Sequence, residues 1–172
     1  MLKAGLTPHE IQNNRSQSTN KREITMGAEL LFDLCGKLVL PAWLLLIVLP
    51  KWQWTEKIVF HVWIPSLLAV CYIYCFYSAF PFPQGSGFGS LAEVMVFFQS
   101  PYGAMAGWIH YLAFDLFIGA WEVRDSRRRA INHLFVIPCL ILTFLAGPVG
   151  LLLYFIIRFI KDRSLSTVER TV

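Results

Sequence analysis

Long apolar runs separated by short polar stretches dominate the chain, and their lengths predict helices that cross a bilayer. Such a span takes about 20 predominantly apolar residues. The first candidate covers 27–49: its second half is continuous from Leu38 to Leu49, and its first half carries Glu29, Asp33 and Lys37. Those three are spaced by four and so form one stripe on one helix face. The second, 58–80, holds His61 near its start, Pro65, and Tyr72, Tyr74 and Tyr77 toward its far end. Pro65 predicts a kink, which membrane helices tolerate when neighbours satisfy the freed carbonyl. The third, 102–121, begins with the small-residue face Gly103-Ala104-Met105-Ala106-Gly107 and stops at the charged run from Glu122 to Arg129, read as an aqueous boundary. The fourth, 134–160, is too long for a single span and is interrupted at Gly147-Pro148-Val149-Gly150, so it predicts a kinked helix or a break with its last part beyond the bilayer core. Between the second and third lies a Pro/Gly loop, 81–90, and then an apolar stretch, 91–98, too short to cross. Ser90 and Glu93 stand at capping-box spacing, which predicts a short interfacial or re-entrant helix starting there.

The pattern therefore predicts an all-α integral membrane protein: a four-transmembrane-helix bundle with a short interfacial helix between the second and third spans. Residues 1–26 read as a polar, disordered tail, 27–160 as the membrane domain and 161–172 as a second polar tail. The N-terminal stretch has no apolar core of the kind a secretory signal needs.

Composition strengthens the membrane reading. The chain has 172 residues, 56% hydrophobic and 15% charged, against about 25% charged in a soluble domain; mean hydropathy is +0.53. The net charge of +4 comes from Lys and Arg in tails and loops. That placement suits anchoring and contact with anionic lipid, and it argues against nucleic acid as a partner. It does not orient the protein. With four spans, Arg15, Lys21, Arg22, Arg158, Lys161, Arg163 and Arg170 fall on one side and Lys51, Lys57, Arg124, Arg127, Arg128 and Arg129 on the other, which is no asymmetry under the positive-inside rule. Whether the membrane is a bacterial plasma membrane or that of an organelle stays open. Cys35, Cys71, Cys75 and Cys139 all lie in apolar stretches, as small packing residues do, and form no loop framework of disulfides.

The chemistry, if any, concentrates in the third span. His110 and Asp115 sit in the middle of an apolar run, where an ionisable group costs at least a few kcal/mol unless it is paired, neutralised or wetted. At about 100° per residue the two point about 140° apart, so they cannot pair on an ideal helix. Asp115, Gly119 and Glu122 share one face; His110, Phe114, Phe117 and Trp121 share another. Each ionisable group reads either as a structural hydrogen bond to a neighbouring helix or as a working side chain. Glu29 and Asp33 read as an interfacial turn neutralised by Lys37 or as a polar face toward the third span. No histidine or cysteine spacing makes a convincing metal site, and no phosphate loop, dinucleotide fingerprint or nucleophile elbow is present. No cofactor is expected from these residues beyond a bound lipid. Arg124, Arg127, Arg128 and Arg129 read as a membrane-flanking patch able to hold lipid headgroups.

The run Gly107-Trp108-Ile109-His110-Tyr111-Leu112-Ala113-Phe114-Asp115-Leu116-Phe117, followed by Asp125, His133, Pro138, Leu142-Thr143-Phe144 and Gly147-Pro148-Val149-Gly150-Leu151-Leu152-Leu153-Tyr154, resembles the abscisic acid deficient four family of small multi-pass membrane proteins. The resemblance covers roughly 30–158 and is most specific in the third and fourth spans. In plants that family is tied to neoxanthin synthesis, the opening of the violaxanthin epoxide to an allene. The resemblance thus implies a bound carotenoid or other isoprenoid and chemistry on it, or help to an enzyme that performs it. Asp115 would be the general acid and His110 the base, with Trp108, Tyr111 and Phe114, and more remotely Glu29 and Asp33, lining an apolar slot. A non-catalytic assembly subunit of a larger membrane complex and a small oligomeric transporter are the alternatives.

Overall fold

Apolar runs of this length have one way to satisfy their backbone away from water, which is to coil, and every regular element in the described residues is helical. The computed structural model describes residues Pro8–Arg163. Helix α1 is Pro8–Val48. A single turn, α2 (Gln53–Thr55), leads into a π-helical turn at Glu56–Phe60, and α3 is Trp63–Ser78. Then come α4 (Leu91–Phe97), α5 (Pro101–Arg128), α6 (His133–Ala146) and α7 (Pro148–Asp162). Among the described residues, two stretches are long and apolar enough to cross a membrane, Gln12–Val48 and Gln53–Ser78.

Three local differences from the sequence reading have plain causes. The second apolar stretch breaks at His61-Val62, ahead of Pro65, and His61 Nδ1 lies 2.8 Å from Glu56 O. Pro65 then falls in the first turn of α3, where its missing N–H costs no helical bond. Helix α1 starts at Pro8, inside the stretch read as a polar tail, with exposed side chains over most of its first turns. Of the C-terminal tail, 161–163 are described and 164–172 lie outside the described residues. Most consequential, 134–160 takes the broken form of the two expected, as helices of 14 and 15 residues, and the second doubles back along the first instead of running on. Each is shorter than the length a span takes.

The chain divides into two compact units, Met1–Leu34 with Tyr72–Gly107, and Cys35–Cys71 with Trp108–Val172. In the first, α4 starts as its capping signal predicts: the Glu93 N–H donates to Ser90 Oγ at 3.3 Å. The Glu93 carboxylate reaches Gly89 N–H at 3.0 Å, one residue earlier than the usual reciprocal bond. The small-residue face of α5 receives α4 here. A Cβ on Gly103 would strike the Phe97 carbonyl, and one on Gly107 the Phe98 ring. Aromatic side chains surround Phe97, with Phe82 at 5.6 Å and Phe88 at 5.4 Å between ring centres.

The second unit is organised by the α6–α7 hairpin. Gly150 lets the two helices touch, because a Cβ there would meet the Thr143 backbone and the Cys139 carbonyl. Along α5 the hairpin contacts run in order: Tyr111 to Phe144, Glu122 to Thr143, Asp125 to Tyr154, and Arg129 to Asp162. Helix α6 therefore runs antiparallel to α5 and α7 returns parallel to it. The hairpin tip at Gly147 meets Asp115, the middle of the 28-residue α5.

Candidate functional site

A polar stripe, Tyr111, Asp115, Gly119, Glu122 and Ser126, recurs every three or four positions on one face of α5 and continues to Arg129, just past the helix end. The hairpin covers this stripe, and its two ends behave differently.

At the C-terminal end every charge has a partner. Asp125, 5% exposed, accepts from the Tyr154 hydroxyl at 2.8 Å and from Arg129 Nε at 2.9 Å, and lies 3.5 Å from Nε of the fully buried Arg158. Arg129 also donates to Asp162 at 2.7 Å. That hydrogen bond, opposed by desolvation and reinforced by Asp125, holds the Arg129 guanidinium above its ordinary pKa. The Arg158 guanidinium lies over the Trp121 and Phe155 rings, 5.9 Å from each. One turn deeper, fully buried Glu122 accepts from the Thr143 hydroxyl at 3.0 Å through Oε1, and its Oε2 is buried with no hydrogen-bond partner. Glu122 and Asp125 are thus interior groups, where the sequence reading made them the start of an aqueous boundary. Arg158, read as closing the last span, is interior too.

At the hairpin tip the chain breaks under different terms. Gly147 is the residue between α6 and α7, with φ 10° and ψ −78°. The Asp115 carboxylate presses against it, and a Cβ at 147 would come within 2.6 Å of Asp115 Oδ1. A helix ending at 146 leaves its last carbonyls without intrahelical donors, and the Tyr111 hydroxyl donates to one of them, Phe144 O, at 2.7 Å. The single Tyr111 proton is spent there, although the hydroxyl sits beside Asp115. Asp115 is half-buried, and its Oδ2 is buried with no hydrogen-bond partner. The carboxylate also faces the N-terminal end of α7, where the helix dipole favours negative charge.

Around the same stretch of α5, Trp108 stacks on Tyr111 at 5.3 Å and the His110 ring stacks on Phe114 at 4.5 Å. Trp108, His110 and Phe114 are exposed and Tyr111 is half-buried. The helix therefore separates His110 from Asp115 as its pitch requires: Asp115 meets the hairpin, and His110 is on the open arc. Between Asp115 and Glu122, Gly119 admits Trp43, whose ring would meet a Cβ there at 2.7 Å.

The basic patch is mostly engaged within the protein. Arg124 donates to the Phe60 carbonyl at 3.3 Å, Arg127 pairs with Glu56 at 2.8 Å, and exposed Arg128 lies 3.8 Å from Asp125. Glu29 and Asp33 are exposed on α1, in the first unit. That unit has its own concavity of about 440 Å³, walled by Tyr72, Ile73, Phe76, Tyr77, Phe80 and Phe82. Among the described residues no three His, Cys, Asp or Glu side chains converge to hold a metal ion.

Sequence reasoning singled out Asp115 and its aromatic neighbours, and it noted that Glu122 shares the face of Asp115 and Gly119. It missed Asp125, Thr143, Tyr154 and Arg158. One signal was available: Tyr154 and Arg158 are four apart on α7 and repeat the polar spacing of α5.

A family model described as ABA DEFICIENT 4-like matches residues 30–154, the stretch that holds all of these groups except Arg158 and Asp162. No curated protein and no solved structure matches the chain.

Proposed function

From the premise that this chain belongs to the ABA DEFICIENT 4-like family, which points to carotenoid- and abscisic-acid-related biology, we propose that it is a multi-pass membrane protein that binds a long apolar isoprenoid and isomerises it by acid–base chemistry, with Asp115 as the acid. One observation carries this reading. Asp115 stands at mid-length on α5, against a broken hairpin, and one of its carboxyl oxygens is buried with no protein partner. A buried carboxyl oxygen that nothing in the protein satisfies is costly to keep. A ligand oxygen would satisfy it.

The chemistry fits an epoxide. Protonated Asp115 would donate to the epoxide oxygen as its C–O bond breaks, and a base would take a proton from the neighbouring polyene carbon as the allene forms. Atoms balance, and nothing is oxidised or reduced. His110 stands on the opposite arc of α5 from Asp115, too far round the helix to serve the same epoxide, so we assign the proton-accepting role to the Asp115 carboxylate itself once it has given its proton to the oxygen. Trp108, Tyr111 and Phe114 supply aromatic surface on the same stretch of α5, against which a stiff polyene would lie. The aromatic cavity of the first unit independently suits an apolar ligand.

The test is the absorption spectrum and lipid extract of the purified protein, then conversion of an epoxycarotenoid by wild type and Asp115→Asn. The Asp115→Asn variant should lose conversion while still binding pigment. Full activity in that variant would remove Asp115 as the acid. A second reading, a small oligomeric transporter, draws on the hairpin break at mid-α5, since broken helices hold solutes in transporters. Solute flux in liposomes without pigment binding would favour it over the enzyme.

A further inference from the structure

The direction of the α6–α7 hairpin changes which charges share a side. Had 134–160 crossed as one helix, the residues after it would face away from the α5–α6 turn. The structure instead returns α7 to that turn, where Arg129 Nη1 donates to Asp162 at 2.7 Å. The same end receives the close of α1, because His133 Nε2 lies 2.9 Å from Ile47 O. It also receives the π turn, through the Arg127–Glu56 pair at 2.8 Å. Four separate stretches of the second unit thus meet at one end. They bring Lys51, Lys57, Arg124, Arg127, Arg128, Arg129, Arg158, Lys161 and Arg163 together against three carboxylates, Glu56, Asp125 and Asp162.

We infer that this end is the face lying on the anionic headgroups of one leaflet, and that the α6–α7 hairpin enters and leaves the bilayer through it as a re-entrant pair. The inference rests on the membrane reading above but not on any isoprenoid chemistry. Lengths agree with it. At about 1.5 Å per residue each hairpin helix is about 21–23 Å long, too short for a bilayer core of about 30 Å but enough to reach its middle. The broken backbone at Gly147 is itself buried, as non-helical backbone at membrane depth must be. Asp125 and Asp162 neutralise Arg129 and the buried Arg158, and Glu56 pairs with the exposed Arg127. Lys51, Lys57, Arg128, Lys161 and Arg163 are exposed at the rim. Trp52 and Trp54 are exposed beside them, as interfacial tryptophans are. A free phosphate would bind one cation cluster; a rim this wide and flanked by tryptophan fits a lipid surface.

The experiment uses the full chain reconstituted in vesicles. Lys51→Cys and Lys161→Cys are each treated with a membrane-impermeant maleimide from outside. Wild type, with cysteines buried or half-buried, sets the background. The inference expects both positions to be reached from the same side. Labelling from opposite sides overturns it and restores a complete last crossing. In parallel, Lys57→Gln, Arg128→Gln, Lys161→Gln and Arg163→Gln are combined, and native mass spectrometry reads retained lipid from phosphatidylcholine vesicles with and without phosphatidylglycerol. Each cation removed should lower the preference for the anionic lipid about five-fold. An unchanged preference overturns the headgroup assignment. Extraction of the wild type by carbonate would overturn the membrane reading itself, whereas split labelling leaves that reading standing.

Discussion

The two ends of the polar stripe on α5 use the same residue types for opposite purposes. Around Asp125 a carboxylate, a phenol and two guanidiniums lock together, and the site is closed. Around Asp115 a carboxylate meets a glycine, the neighbouring phenol gives its proton elsewhere, and one oxygen is left over. The first arrangement ties helices together; the second sets a carboxylate against a break in the helical backbone. Intramembrane charge alone does not separate structure from function. What separates them is what each carboxylate meets: Asp125 has a phenol and two guanidiniums against it, whereas Asp115 has a glycine and a phenol that donates elsewhere.

That contrast predicts a descending series of stability effects, measured as thermal unfolding in detergent. The largest belongs to Asp125→Ala, which strands Arg158 in the interior and removes the acceptor of Tyr154 and Arg129. Breaking a buried pair on one side costs about 3–5 kcal/mol. A loss under about 1 kcal/mol would mean the closed end does not hold the hairpin. Gly150→Ala should come next, at about 1–3 kcal/mol, because its methyl group must displace the Thr143 backbone rather than a flexible side chain. Thr143→Val follows. It leaves both oxygens of Glu122 without a donor and should cost about 1–3 kcal/mol, while Glu122→Gln costs less because an amide is neutral. Smallest is Asp115→Asn, expected within about 0.5 kcal/mol of wild type. If it were instead as damaging as Asp125→Ala, the two ends would be alike and Asp115 would be one more structural tie.

Much of this was legible before any fold was known. The Ser90/Glu93 signal located the start of α4, and Gly147-Pro148 located a break. Asp115 and its face stood out because a carboxylate in an apolar run is conspicuous. The closed end was not legible, for the opposite reason. Glu122, Asp125 and Arg158 sit where apolar runs end, so they read as solvated flanks, and nothing local distinguishes a flanking charge from one that another helix will cover.

Periodicity, proline and glycine act over a few residues. They were enough to specify helices, the start of α4 and the break at Gly147, an apolar class of fold and the shared face of Asp115, Gly119 and Glu122 on α5. The direction the chain takes after Gly147 is not a local property. It depends on Gly150 meeting Thr143 and Cys139, and on Arg129 finding Asp162, contacts between residues far apart along the chain. Those contacts turned an expected last crossing into a hairpin. In doing so they buried the arginine, enclosed Asp125 and left Asp115 and Glu122 each with an oxygen to spare.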